Sequence, residues 1–238
     1  MPFIYKMQQL RFLIWVAFSI IPLTTCSDPE NIPENDNHTE TINGSEIPKF
    51  VSTNYIEIDK ISQISKFRSG IGHDYSDDFE SCRSMKHYFQ PNGDWSSVKI
   101  YSPVVGTVSR IFEEWAGTQV QIQSSEYADI YFIIFHVKLS NTLSIGDSVT
   151  AGQQLGSHIG SQTMSDIAVG IQTTDEWKLI SYFDVLNQSL FENYQARGIN
   201  SRDELIISKK DRDENPLSCN EDNQFANSGV IENWIILK

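Results

Sequence analysis

Three patterns of apolar and polar positions follow one another along the chain. Residues 12–23 form an apolar run behind Lys6 and Arg11. The run is too short for a comfortable membrane span, and its charge-then-apolar layout predicts an export signal over residues 1–25. Residues 27–48 carry Asn, Pro, Thr, Asp and Glu with almost no large apolar side chain. Such a stretch cannot bury enough surface to offset the entropy of ordering, so residues 26–48 read as a tether.

Beyond the tether, short apolar-rich segments are separated by turn formers. Ile56 and Ile58 interleave with Glu57 and Asp59 as in a half-buried strand, and Ile61, Ile64 and Phe67 then recur every third residue, as in a helical turn. β-branched and aromatic residues predict strands over 98–101, 107–112, 118–123, 130–137, 167–172 and 177–183. Within 131–135 the apolar run is nearly continuous, which predicts a strand buried on both faces. Asp184 is placed to cap a helix running through Tyr194, with Gly198 at its end. Ser201 and Glu204 form a capping-box pattern for a second short helix before Pro216, and residues 229–238 read as a terminal strand. The expected organisation is a mainly β domain over 49–186, followed by a helical extension and terminal strand over 187–238.

Composition narrows the partners. The chain has 31 acidic and 18 basic side chains, a formal charge of −13, and losing residues 1–25 would remove two bases and no acid. That charge argues against nucleic acid as a partner. The sequence Leu23-Thr24-Thr25-Cys26 is similar to a bacterial lipoprotein signal, which implies a lipid on Cys26, membrane anchorage and an envelope location. Cys82 and Cys219 are then an even pair in an exported chain, a candidate disulfide whose closure spacing alone leaves open.

Candidate chemistry begins at residues 70–77, Gly-Ile-Gly-His-Asp-Tyr-Ser-Asp. His73 and Asp77 can both bind Zn²⁺, but a hydrolytic site needs a third protein ligand and an open position for water. Nearby, Arg83 and Lys86 can balance Asp74, Asp77, Asp78 and Glu80, with substrate binding as the alternative role.

The stretch Tyr101-Ser102-Pro103-Val104-Val105-Gly106-Thr107-Val108, followed by the glycine-punctuated stretch from Leu143 to Gly156, resembles the β core of lysostaphin-like, LytM-type zinc endopeptidases, and shares features with biotinyl and lipoyl half-barrels. No glycine turn offers the lysine that a biotinyl or lipoyl carrier modifies. The resemblance covers about half the chain, from Ser69 to Leu186. It implies an antiparallel LytM-like (duplicated hybrid motif) sheet, with the His-x-Gly-x-Asp loop of the family retained as His73 and Asp77. It further implies that His136 supports catalysis from a central strand.

The His-x-His strand of the family, whose first histidine is the general base and second the last zinc ligand, corresponds here to Asp166 and Ala168. Alternate residues of a strand share a face, so Ala168 stands where the ligand should be. Tyr75 replaces the glycine of the first motif. Asp166 could serve as a replacement ligand in a weaker His-Asp-Asp site, with His158 and then His87 as further donors. Two functions are therefore expected in order. The first is a degenerate peptidase-like envelope protein that binds peptidoglycan or regulates a cell-wall hydrolase. The second is an active zinc-dependent peptidoglycan endopeptidase using His73, Asp77 and Asp166, with His136 in support.

Overall fold

The computed structural model describes residues 41, 42, 45–140 and 142–238. The expected export signal, Cys26 and most of the tether lie outside them. A short hairpin rung, β1 (Thr41–Ile42) with β2 (Ser45–Glu46), precedes the main sheet. The strands that follow are β3 (Ile61–Ser65), β4 (His87–Pro91), β5 (Lys99–Tyr101), β6 (Gly106–Glu114), β7 (Gly117–Ser124), β8 (Ile130–Leu139) and β9 (Ser148–Val149). After these come β10 (Gln154–His158), β11 (Ser165–Gln172) and β12 (Trp177–Ile180), then helices α1 (Tyr182–Val185), α2 (Gln188–Gln195) and α3 (Lys209–Glu214), and finally β13 (Trp234–Ile236). The sheet runs β13-β3-β4-β11-β8-β7-β6-β9, and every pairing is antiparallel. Strand β10 bridges β8 to β5, and β12 lies beside β11.

β8 and β11 sit at the centre because their side chains are apolar on both faces. Phe132, Ile134, Ile167 and Val169 point into the main core, while Ile133, Phe135 and Ala168 point into a second apolar cluster with Phe67, Met85 and Leu179. The continuous apolar run of 131–135 is thus a two-faced strand, as its pattern requires. Helix α2 adds Leu190, Phe191 and Tyr194 to the main core.

Local chemistry corrects several sequence expectations. Over 56–67 the order is reversed: a 3-10 turn at Ile58–Lys60 comes first and strand β3 follows. The spacing of Ile61 and Ile64 imitates a helical turn because the register against β4 shifts between Ile61 and Gln63, so both isoleucines face the core despite lying three apart. Asp184 lies inside α1 and not at a helix start; Ser181 Oγ accepts from Phe183 N at 3.2 Å, and Asn187 Oδ1 accepts from Leu190 N at 2.8 Å. Residues 177–183 therefore split into β12 and the start of α1. Ser201 makes no cap hydrogen bond at the 3-10 turn Arg202–Leu205, and Ser208 caps α3 instead, accepting from Asp211 N at 3.0 Å. Gly198 does end the helical segment, at φ 95°.

The tail returns to the sheet and is pinned there. β13 pairs with β3, and Cys82 is disulfide-bonded to Cys219 with Cα atoms 5.7 Å apart.

Candidate functional site

A cleft of about 640 Å³ opens on the face of β4, β8 and β11 that carries the second apolar cluster. Its floor is set by strand alternation. On β11, Asp166 and Ala168 share that face; on β4 the opposed residue is Tyr88, and Lys86 two positions earlier points the same way. His136 reaches the cleft by a different device. Val120 pairs with Ile134 but Thr118 with Val137, so β8 carries one extra residue, and His136 occupies the left-handed region at φ 60°. The bulge inverts the face of every later residue: Val137 returns to the main core and the His136 ring is turned toward Asp166. Histidine is among the side chains that tolerate this conformation best.

These residues form a chain of ionisable groups. Lys86 Nζ lies 2.5 Å from Asp166 Oδ2, with the side chains 2% and 0% exposed. The ammonium sits over three rings, 4.1 Å from the Phe135 centroid, 4.9 Å from Tyr75 and 5.0 Å from Tyr88. His136 Nε2 is 3.3 Å from Asp166 Oδ1. His136 Nδ1 donates to Ala116 O at 2.9 Å and lies 3.4 Å from Glu114 Oε2. Burial opposes the charge on Lys86, but the adjacent Asp166 carboxylate and the tyrosines outweigh it and hold the ammonium above its ordinary value. Burial pushes the Tyr75 phenol up to about 12 and raises the Glu114 carboxyl above the usual range. Trp115, 78% exposed, stands on the cleft rim at the β6–β7 turn, its ring 6.1 Å from that of His136.

The predicted ligands are not assembled into a metal site among the described residues. His73 lines the cleft, with Nδ1 bonded to Asp74 O at 2.8 Å, and burial lowers its basicity. Asp77 is turned to the backbone: Oδ1 accepts from Phe79 N at 2.9 Å and Glu80 N at 3.0 Å, and Oδ2 accepts from Leu179 N at 2.8 Å. Asp166 is engaged by Lys86, and Ala168 is buried with Ile133 and Phe135. Among the described residues there is no group of three or more His, Cys, Asp or Glu side chains placed to hold a metal ion. The donor set does not fit zinc: an ammonium lies against one carboxylate and three peptide N–H groups hold another.

The other two described histidines have structural surroundings. His158 ends β10, fully buried, and its Nδ1 accepts from Gly160 N at 3.2 Å. It is not a solvated turn residue. His87 is also fully buried, between Ser65 O and Ser181 Oγ, each at 2.8 Å.

The sequence gives no sign of Glu114 and Trp115 as site residues, and offers Lys86 only as a charge partner or a substrate contact. Lys86 was expected to balance the acidic loop, but that work falls to arginines: Arg68 and Arg83 both pair with Glu80, and Arg83 reaches Asp213 at 2.9 Å. Lys86 directly precedes β4, whose first three residues, His87, Tyr88 and Phe89, are all buried.

No protein-family model and no curated protein matches the chain. Among solved structures, it is similar to a protein named as the glycyl-glycine endopeptidase lytM from Ruminococcus gnavus, at 20% identity and TM-score 0.35, over 45% of this chain and 46% of that one. It is similar to the SpoIIQ–SpoIIIAH pore-forming complex at 11% identity and TM-score 0.41, over 62% of this chain and 98% of that one. Lysostaphin is matched at 11% identity and TM-score 0.33, over 71% of this chain and 66% of that one. The chain thus spans about half of the first of these and just under two thirds of lysostaphin.

Proposed function

We propose that this is an exported cell-envelope protein whose LytM-like β domain binds peptidoglycan, or a hydrolase working on it, without itself cutting. The observation that carries the reading is the Lys86–Asp166 pair on the floor of the cleft, 2.5 Å apart and buried. An ammonium placed there supplies the positive charge that a metal would supply, but it has no vacant coordination position and cannot activate water. Tyr75 packs edge-on to Phe135 at 5.4 Å, which adds bulk where the family motif has glycine. The choice of the cell wall as partner rests on the sequence resemblance of residues 69–186. Export and a lipid anchor rest on residues 1–26.

The test uses the purified chain, metal analysis and isolated peptidoglycan sacculi. Expected are sedimentation with the sacculi, no stoichiometric zinc and no released fragments. Stoichiometric zinc together with fragment release, both lost in His73→Ala, would establish the active hydrolase instead. A chain that neither sediments with sacculi nor changes the rate of a wall hydrolase overturns the binding role.

A further inference from the structure

The same pair has features of a reaction site within the protein. Lys86 and Asp166 are brought together across β4 and β11 in a pocket walled by Tyr75, Tyr88 and Phe135, with almost no solvent contact. Nζ stands 2.5 Å from Oδ2, yet neither oxygen of Asp166 has a donor aligned for a hydrogen bond. The amine is therefore against the carboxyl group without the in-line geometry that a hydrogen-bonded ion pair adopts. Two reacting groups confined side by side in one closed pocket have a high effective concentration. His136 Nε2, 3.3 Å from Oδ1, is placed to move a proton at the carboxyl oxygen, and Glu114 Oε2 at 3.4 Å backs its other ring nitrogen.

We propose that Lys86 and Asp166 condense into an intramolecular amide, a covalent cross-link between the approach to β4 and the start of β11. The step balances without an outside reagent. The reacting form is the minor one in which the ammonium has passed one proton to the Asp166 carboxylate, leaving a neutral amine and a neutral acid. The amine lone pair attacks Cγ, and a second amine proton moves through His136 Nε2 to the departing hydroxyl. One Nζ–Cγ bond forms, one Cγ–O bond breaks, and one water leaves through the cleft. Nothing is oxidised or reduced. The proposal rests on the reading of the cleft as a site without metal: the amide would take the place of the ammonium and its charge there and would remove Asp166 as a ligand permanently.

The experiment is mass spectrometry of the full chain, denatured and reduced, with tryptic mapping. Expected is an intact mass lower by one water than the same chain without the cross-link. Cleavage after Lys86 should be lost, and the peptide of residues 84–99 should be joined to that of residues 139–178. Lys86→Met and Asp166→Ala should each restore the full mass, and His136→Asn, which suits the left-handed backbone, should slow the water loss at least tenfold while leaving the circular dichroism unchanged. A wild-type chain of full mass with trypsin cutting freely after Lys86 overturns the cross-link, whatever the variants do. Cross-linking in His136→Asn at the wild-type rate overturns the proton relay. Zinc content and sedimentation with sacculi are read separately, so a missing cross-link leaves the binding role standing, and a cross-linked chain that ignores sacculi sinks only the latter.

Discussion

At the scale of single residues, Asp77 shows how a side chain chosen for its chemistry can be held by architecture. Its two oxygens accept from three backbone N–H groups, those of Phe79, Glu80 and Leu179. The last of these joins the 70–77 loop to β12 across a sequence separation of 102 residues. Truncation in Asp77→Ala should leave three donors without that acceptor and cost about 2–3 kcal/mol, the penalty for stranding partly buried polar groups. Urea unfolding of the two proteins checks this, and a loss below about 0.5 kcal/mol would contradict the bonding described. His73 and Asp77 were legible as a pair because His-x-x-x-Asp is a local pattern. The occupant of the carboxylate was not legible, because its partner at Leu179 is set by the sheet and not by spacing. Lys86 was missed for the same reason: its partner Asp166 lies on a strand that becomes a neighbour only once β4 and β11 pair.

At the scale of elements, His87 fastens β4 to its surroundings, bonding the β3 carbonyl of Ser65 and the hydroxyl of Ser181, which caps α1. Burial drives its pKa from 6.5 down to about 4. Between those values the unfolded chain binds a proton that the folded chain refuses, so stability is complete above about pH 6.5 and falls as the pH drops toward 4. The loss over that window should be about 3 kcal/mol. Denaturant titrations from pH 7 to pH 4 should show this slope in the wild type and a clearly shallower one in His87→Gln. Equal slopes would mean that the imidazole is not buried neutral. Most of the strands were legible because alternation and β-branched content are local properties. Where the sequence misled, at Ile61 and Ile64 and at Asp184, a register shift or a competing Ser and Asn cap decided the structure. Such a choice depends on which strand lies alongside and which hydroxyl or amide is nearer the helix start.

For the folded body as a whole, the cleft is finished by chain from the opposite end of the sequence. Asp74 N donates to Asn223 O at 2.7 Å, His73 makes a bridge with Gln224, and Gln224 lines the cleft. Cysteine parity suggested the Cys82–Cys219 link, but closure across 137 residues could be known only from the fold. Constraining so long a loop restricts the unfolded chain strongly, so a Cys82→Ser, Cys219→Ser double variant should lose about 3–5 kcal/mol. Because Cys219 anchors the segment that carries Asn223 and Gln224, the same variant should also release one wall of the cleft. Limited proteolysis should then cut between residues 215 and 230 at least tenfold faster than in the oxidised wild type, and adding a thiol reductant to the wild type should reproduce that pattern. Unchanged cutting in both, alongside the expected loss of stability, would show that β13 and the hydrogen bonds to the 70–77 loop hold the wall unaided, and that the disulfide serves stability alone.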